Sequence, residues 1–443
     1  MSYNLVNKIF LMVIAIALNM PVFAKNRIDT QRPDAPTLAA YGKFDIGVQT
    51  LKIVHPEQID IVKIDPAKAK PDKLPTYDRP LTLEIWYPAT PGNTGTNTLD
   101  VYLRDGKTKV ELHGKAVREA IPLKNTNKYP LVLISHGYPG NRFLLAHLAE
   151  NIASKGYVVV SIDHTDSTYR TYAAFASTLI NRPLDQLFTL NQVAMLSKDE
   201  SSFLFNLVDT DNTALIGYSM GAYGAMVLAG GGLTQQAVDY PWAAPHNTLA
   251  IHKSDSEQHN SLADPRLKTV IAFAPWGMNV NMWDKTTLKG VNVPTLFVAG
   301  SVDDVSGYKK GIRAIWQATT SVERSLLTFE NANHSAGAPM PAPEEAYVYS
   351  EELGIHLSDH YTDPVWDSAR MNNISQHFAT AWLEKHLKQD TSMNQYLQLI
   401  PNSNDGLWSM DEQNKAKNDH THWAGFKART AKGLKFESLN KGP

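Results

Sequence analysis

Short runs of apolar residues without a helical or alternating period recur through the middle of the chain. They cover residues 129–135, 156–162, 213–217, 268–274, 293–300 and 324–329. Runs of this length and continuity are strands covered on both faces. Between them lie stretches at helical spacing, at 143–154, 184–197, just after Ser219, at 308–317 and at 371–387. In the last of these Ile374, Phe378, Ala381, Trp382 and Leu387 fall on or near one face. Alternation of buried strands and helices predicts the α/β class, with a mostly parallel central sheet and helices on both faces from about residue 129 to 388. Strand-like segments at 44–54 and 81–87 come earlier and are expected as an N-terminal antiparallel extension of that sheet. Residues 93–120 read as an edge elaboration.

Two segments depart from the alternation. Residues 230–264 open with three glycines and carry proline, histidine and acidic side chains, which predicts a long pocket-forming excursion between two strands. After residue 390 the chain turns polar and loses its period. Trp408, Trp423 and Phe426 predict that 391–443 packs as an appendage on a domain of 25–390.

The N-terminus has a different pattern. Lys8 precedes an apolar stretch at 9–20, and Val22-Phe23-Ala24 resembles a small-residue cleavage site. The stretch is too short for a good membrane span. Residues 1–24 therefore read as a signal peptide removed near Ala24, leaving no stable membrane span and giving a periplasmic or secreted protein. With 42 Lys and Arg against 44 Asp and Glu, the net charge of −2 and the lack of a dense basic stripe argue against a nucleic-acid partner. The chain has no cysteine, which removes thiolate chemistry, sulfur-rich metal sites and lipid attachment at a cleavage-site cysteine.

Candidate chemistry centres on Gly217-Tyr218-Ser219-Met220-Gly221, where a strand-like run passes through a glycine into a helix-like run. That is the strand–turn–helix setting of a nucleophile elbow, with Ser219 as nucleophile. A serine hydroxyl needs a base, and the base needs an orienting acid. In this fold type they follow in the order serine, acid, histidine. Asp303 and Asp304 follow the strand ending at Gly300, and His334 follows the strand ending near Phe329. Asp303, three residues after Gly300, is the preferred acid, with Asp304 the alternative. The tetrahedral intermediate needs backbone donors, assigned to the N–H of Met220 and of Tyr138 in Ser135-His-Gly-Tyr-Pro-Gly140. Tyr138, Trp276 and Met278 are expected in the substrate pocket. Asp163-His-Thr-Asp166 reads as structural support rather than a metal site, and no phosphate-binding loop is present. Neither a cofactor nor a metal is expected.

Together these motifs resemble the bacterial relatives of platelet-activating-factor acetylhydrolase among the dienelactone-hydrolase-like α/β hydrolases. The resemblance rests on Gly47-Val-Gln-Thr-Leu51, Pro80-Leu-Thr-Leu-Glu-Ile-Trp-Tyr-Pro-Ala89, Ser135-His-Gly137, Asp163-His-Thr-Asp166 and the Ser219 elbow. It implies an α/β-hydrolase fold and metal-free hydrolysis of carboxylic esters through an acyl-serine, with Ser219 and His334 as nucleophile and base. One departure is visible: the acetylhydrolases carry their acid where this chain has Ala274, which leaves Asp303 for the role and weakens a phospholipid-acetyl specificity. The expected protein is an exported serine ester hydrolase acting on small-molecule or lipid esters. A lipid acetylhydrolase or lactonase is the nearest alternative. A peptidase, or a non-catalytic envelope binding protein on the same scaffold, is further away.

Overall fold

The computed structural model describes residues 25–172 and 175–442. The expected signal peptide, 1–24, lies outside the described residues.

Six strands form the parallel block: β6 (Tyr129–Ser135), β7 (Val158–Asp163), β8 (Val208–Tyr218), β9 (Leu267–Phe273), β10 (Thr295–Gly300) and β11 (Arg324–Phe329). Every residue of β6, β10 and β11 is buried, because helices cover both sides of the sheet and no face is left for polar residues. The early strands β1 (Asp45–Ile59) and β2 (Thr76–Ala89) pair antiparallel with each other, and β2 runs antiparallel to β7. The elaboration at 93–120 holds a separate hairpin, β3 (Thr98–Tyr102) with β4 (Lys109–His113), followed by β5 (Val117–Arg118) beside β1.

Two short strands, β12 (Tyr349–Ser350) and β13 (Ile355–His356), pair apart from the main sheet, and β14 spans Leu434–Leu439. The order across the ten-stranded sheet is β14-β11-β10-β9-β8-β6-β7-β2-β1-β5. The outermost strand, β14, comes from the C-terminal tail and runs antiparallel to β11 with Phe436 opposite Leu327. The segment expected as an appendage on the domain thus supplies an edge of its central sheet.

Five helices matter for the site: α1 (Ala146–Ala153), α2 (Phe175–Leu196), α3 (Met220–Leu228), α4 (Arg313–Ala318) and α5 (Ser368–Leu387). α1 packs with α5, and α2 packs with α3. Asp367 caps α5 by accepting the Arg370 N–H at 2.8 Å. α2 begins nine residues before the expected start at 184 and contains Pro183. Proline removes a backbone donor and orphans the carbonyl four residues back. Here that carbonyl, Leu179 O, accepts the Tyr223 hydroxyl of α3 at 3.1 Å. The next one, Ile180 O, bonds the His252 ring at 2.7 Å. A tertiary partner takes up the bond that proline removes, and the helix runs through it. The mixed sheet, its strand order and its flanking helices are those of the α/β-hydrolase fold.

Candidate active site

The turn from β8 to α3 is tight enough to exclude side chains at its glycines. A Cβ on Gly221 would stand 1.9 Å from Ser135 O, and one on Gly217 would stand 2.5 Å from Ala222 N. Between them Ser219 has φ 52° and ψ −112°, a strained region for a residue with a Cβ. The turn is held by the Ser219 N–H donating to Phe273 O at 2.9 Å, and by Ser219 O accepting from Tyr223 N–H at 2.9 Å. This strain lifts Oγ out of the sheet at the start of α3.

Two loops leaving β10 and β11 meet it there. His334 Nε2 lies 3.0 Å from Ser219 Oγ, and His334 Nδ1 lies 2.9 Å from Asp303 Oδ2. The Asp303 side chain is fully buried, and its Oδ1 accepts the N–H groups of Val305 and Ser306 at 2.9 and 2.8 Å. An acceptor-only carboxylate facing Nδ1 makes that nitrogen the protonated one and leaves the lone pair of Nε2 toward the serine. Asp304 is exposed at the cavity wall, and only its backbone N–H enters the network, 3.1 Å from Asn333 Oδ1. The same Asn333 oxygen accepts the His334 N–H at 2.7 Å, and Asn333 N–H donates to Asp363 at 2.7 Å. Asn333 thus ties the acid loop to the histidine loop.

The loop after β6 passes close over the serine: a Cβ on Gly137 would stand 3.5 Å from Ser219 Cβ and 3.2 Å from the Tyr218 ring. Among the described residues, no protein acceptor meets the N–H of Tyr138 or of Met220. A cavity of about 550 Å³ opens above Ser219 and His334, with Tyr138 in its wall. Arg104, from the turn of the β3–β4 hairpin, and His360, from the loop before α5, also line it. Burial holds His360 down to about 3, so its ring is neutral.

Other expected positions lie elsewhere. Trp276 and Met278 do not line this cavity. Trp276 packs instead in an aromatic cluster, 5.3 Å from Phe175 and 6.4 Å from both Tyr223 and Trp242, where its large apolar surface is shielded. Met278 packs half-buried against the core in a single helical turn. No described residue of 230–264 lines the cavity either; that excursion contributes Tyr240 and Trp242, stacked at 4.9 Å, to the same cluster. Phe175, at 5.2 Å from Tyr138, connects the cluster to the cavity wall. Periodicity gives no sign of Phe175, Asn333 or Arg104, because distant segments bring them to the site.

Behind the β6 loop is a buried chain. His164 bridges Ser135 Oγ at 2.8 Å and Asp185 Oδ2 at 2.9 Å, and Arg79 forks onto Asp185 at 2.9 and 3.0 Å. Burial holds the His164 ring down to about 3. With Ser135 and His164 each 1% exposed or less, this chain anchors the sheet end and reaches no solvent. Among the described residues no group of three or more His, Asp or Glu could hold a metal ion.

A family model described as "PETase: PET hydrolase-like" matches residues 113–253, which include the Tyr138 loop and Ser219. The chain is similar to cutinase 2 of Thermobifida cellulosilytica, 25% identical over 292 residues that cover 66% of this chain and 80% of that protein. Cutinase cut1 of Thermobifida fusca is also 25% identical over 292 residues, covering 66% of each chain. Similarity to the platelet-activating factor acetylhydrolase of Cavia porcellus reaches 31% identity but spans 98 residues, 21% of this chain and 22% of that one. Among solved structures, a ferulic acid esterase from Streptomyces cinnamoneus shares the fold, with TM-score 0.52 and 17% identity over 83% of this chain and 94% of that one. These likenesses extend over the α/β-hydrolase esterases and do not single out the acetylhydrolase or dienelactone-hydrolase branch. The chain is an enzyme, a serine-hydrolase-type esterase.

Proposed function

We propose that this enzyme hydrolyses carboxylic esters through an acyl-serine intermediate, with Ser219 as nucleophile, His334 as base and then acid, and Asp303 as the group that orients and steadies the ring. The observation that carries the reading is the unbroken chain Ser219 Oγ–His334–Asp303, at 3.0 and 2.9 Å, facing an open cavity.

In this reading His334 Nε2 takes the Ser219 proton as Oγ attacks the ester carbonyl. The imidazolium that forms is stabilised by Asp303, which stays ionised. The carbonyl oxygen becomes negative and accepts from the N–H groups of Tyr138 and Met220, which among the described residues have no protein acceptor to give up. As the tetrahedral species collapses, His334 returns the proton to the departing alkoxide. Water then enters, loses a proton to His334 and adds to the acyl-serine; as this second tetrahedral species collapses, His334 returns that proton to Ser219 Oγ, which releases the acid and restores both residues.

The substrate class is proposed as neutral carboxylic esters of small molecules or lipids. Half-buried Tyr138 and exposed Pro364 offer apolar contact in the cavity wall, beside the polar Arg104 and His360. Likeness to cutinases supports esters over amides. Lactones and acetylated phospholipids are the nearest alternatives. A fluorophosphonate probe, followed by a panel of p-nitrophenyl esters, a lactone, an acetylated phospholipid and a polyester film, tests the reading. Wild type is expected to label and to turn over at least the short esters, and Ser219→Ala to do neither. An unlabelled wild type that turns over nothing in the panel overturns it.

Export is part of the proposal and rests on residues 1–24 alone. Cell fractionation with N-terminal sequencing tests it, with Lys25 expected as the first residue of the mature chain.

A further inference from the structure

The Tyr138 N–H belongs to the peptide that also carries Gly137 O. That oxygen faces away from the cavity, into the protein, and accepts from two side chains. His136 Nδ1 lies 2.7 Å from it, and Arg182 Nη2 lies 3.3 Å from it. The tautomer of His136 follows from its other nitrogen, which accepts the His164 N–H at 3.2 Å, so Nδ1 carries the hydrogen and donates.

Arg182, on α2, is 1% exposed. Its guanidinium also donates to His136 O, the preceding carbonyl of the same loop, and to Ser167 Oγ at 2.7 Å. The carboxylate one turn along α2, Asp185, is already engaged by Arg79 and His164. Burial pulls Arg182 down to about 9, which leaves it charged at neutral pH. The fold makes room for it: on α3, a Cβ on Gly224 would stand 2.6 Å from Arg182 Cγ. A buried cation whose bonds go to two consecutive loop carbonyls and a hydroxyl, with no carboxylate of its own, is an expensive way to hold a loop.

We propose that Arg182 and His136 are positioning residues for oxyanion stabilisation. They pin the Gly137–Tyr138 peptide by its carbonyl, so that its N–H faces the oxygen that turns negative. They also polarise that peptide, and Arg182 places a fixed positive charge behind the donor. Hydrogen bonds to a carbonyl strengthen the N–H of the same unit, and preorganised dipoles act most strongly where charge develops in the transition state. The inference rests on the reading of Tyr138 N–H as an oxyanion donor.

The test uses the mature enzyme, Ser219→Ala, Arg182→Met and Arg182→Lys, with folding checked by near-ultraviolet circular dichroism. Two quantities are read: kcat and KM on a p-nitrophenyl ester, and inhibition by an aryl trifluoromethyl ketone, whose hemiketal with Ser219 carries an oxyanion. Arg182→Met is expected to lower kcat about 100-fold, the size of a lost oxyanion donor, with KM held within about twofold. Trifluoromethyl ketone affinity should weaken by a similar factor. Arg182→Lys keeps the charge without the fork and should fall between, about tenfold down. A loop anchor with no electrostatic role would change the folded fraction and leave the ketone affinity of folded enzyme untouched. Folded variants with wild-type kcat, or with ketone affinity unchanged, overturn the inference. Should Arg182→Met not fold, Arg182→Lys decides alone. Failure of the underlying reading is separate: there the wild type itself is inert, or Ser219→Ala retains its turnover.

Discussion

The ring of His334 meets the carboxylate of Asp303 across 2.9 Å, while Asp304, the next residue, keeps its side chain in solvent. Two adjacent acids on one loop are thus separated by burial and by aim. Asp303 also accepts two backbone N–H groups, which hold its free oxygen in place. Replacing it with asparagine keeps the shape but presents the ring with a neutral partner that can favour the wrong tautomer. Asp303→Asn is expected to lower kcat about 10³- to 10⁴-fold. Asp304→Asn should stay within about twofold, the scale of a surface change. Steady-state kinetics on one ester checks both, and the reverse ranking would move the role to Asp304.

The elbow glycines make a prediction about folding rather than rate. At Gly221 the obstacle to a Cβ is Ser135 O, and at Gly217 it is the backbone of Ala222 and Gly221. None of these is the yielding end of a side chain, so β6 or the first turn of α3 must shift. Gly221→Ala is expected to cost about 3 kcal/mol or more of stability. Urea unfolding reads this as a lower midpoint. A wild-type midpoint for Gly221→Ala would mean that the turn has slack its geometry does not show.

Much of this arrangement is legible in the residues themselves, for physical reasons that also mark where legibility stops. Strands such as β6 and β10 stand out because cover on both faces leaves no polar position to confuse the pattern. Ser219, Asp303 and His334 stand out because each follows a strand end in a fixed order along the chain. The start of α2 is hidden: Pro183 reads as a stop, and only the Tyr223 hydroxyl, about 40 residues on, explains why it is not. β14 is hidden because six residues in a polar tail carry little signal, and their partner β11 lies about 100 residues away. Asn333, Arg104 and Phe175 carry no local motif. Trp276 has the right neighbourhood, one hydrogen bond from Ser219 O, but its ring turns into the aromatic cluster.

Acid sensitivity should come partly from histidines that the chemistry does not use. His147, on α1, is 1% exposed, and among the described residues neither ring nitrogen has a hydrogen-bond partner. Burial holds it down to about 3, against about 6.5 in an unfolded chain. Between those values the unfolded chain binds a proton that the folded one refuses. Stability therefore rises with pH in that window and is lost as pH falls from about 6.5 toward 3, by at most about 1.4 kcal/mol per pH unit from this group. His377, on α5, is likewise held down to about 3 by burial and adds a slope of the same sign. His147→Leu removes one of these titrations and two unpaired nitrogens. It should match or exceed wild-type stability at pH 7.5 and lose less by pH 4.5. Urea midpoints at four pH values check this, and parallel pH curves for the two proteins would count against it.

β14 covers the edge that β11 would otherwise expose, and it does so with buried Leu434 and Phe436, the latter stacked on Phe378 at 5.0 Å. Glu437 adds a link to Arg313 on α4, at 2.7 Å. A hydrophobic strand stripped of its edge partner is a template for pairing with another chain. Phe436→Ala is expected to cost about 3–5 kcal/mol, as for other buried phenylalanines. Deleting 434–443 should go further and yield protein that melts lower and self-associates. The loop carrying His334 leaves from β11, so turnover per folded molecule should fall less than folded yield. Size-exclusion chromatography, thermal melting and active-site titration with a fluorophosphonate separate these effects. A truncated chain that elutes as full-length protein does, with the same melting point, would show that the sheet is complete without its tenth strand.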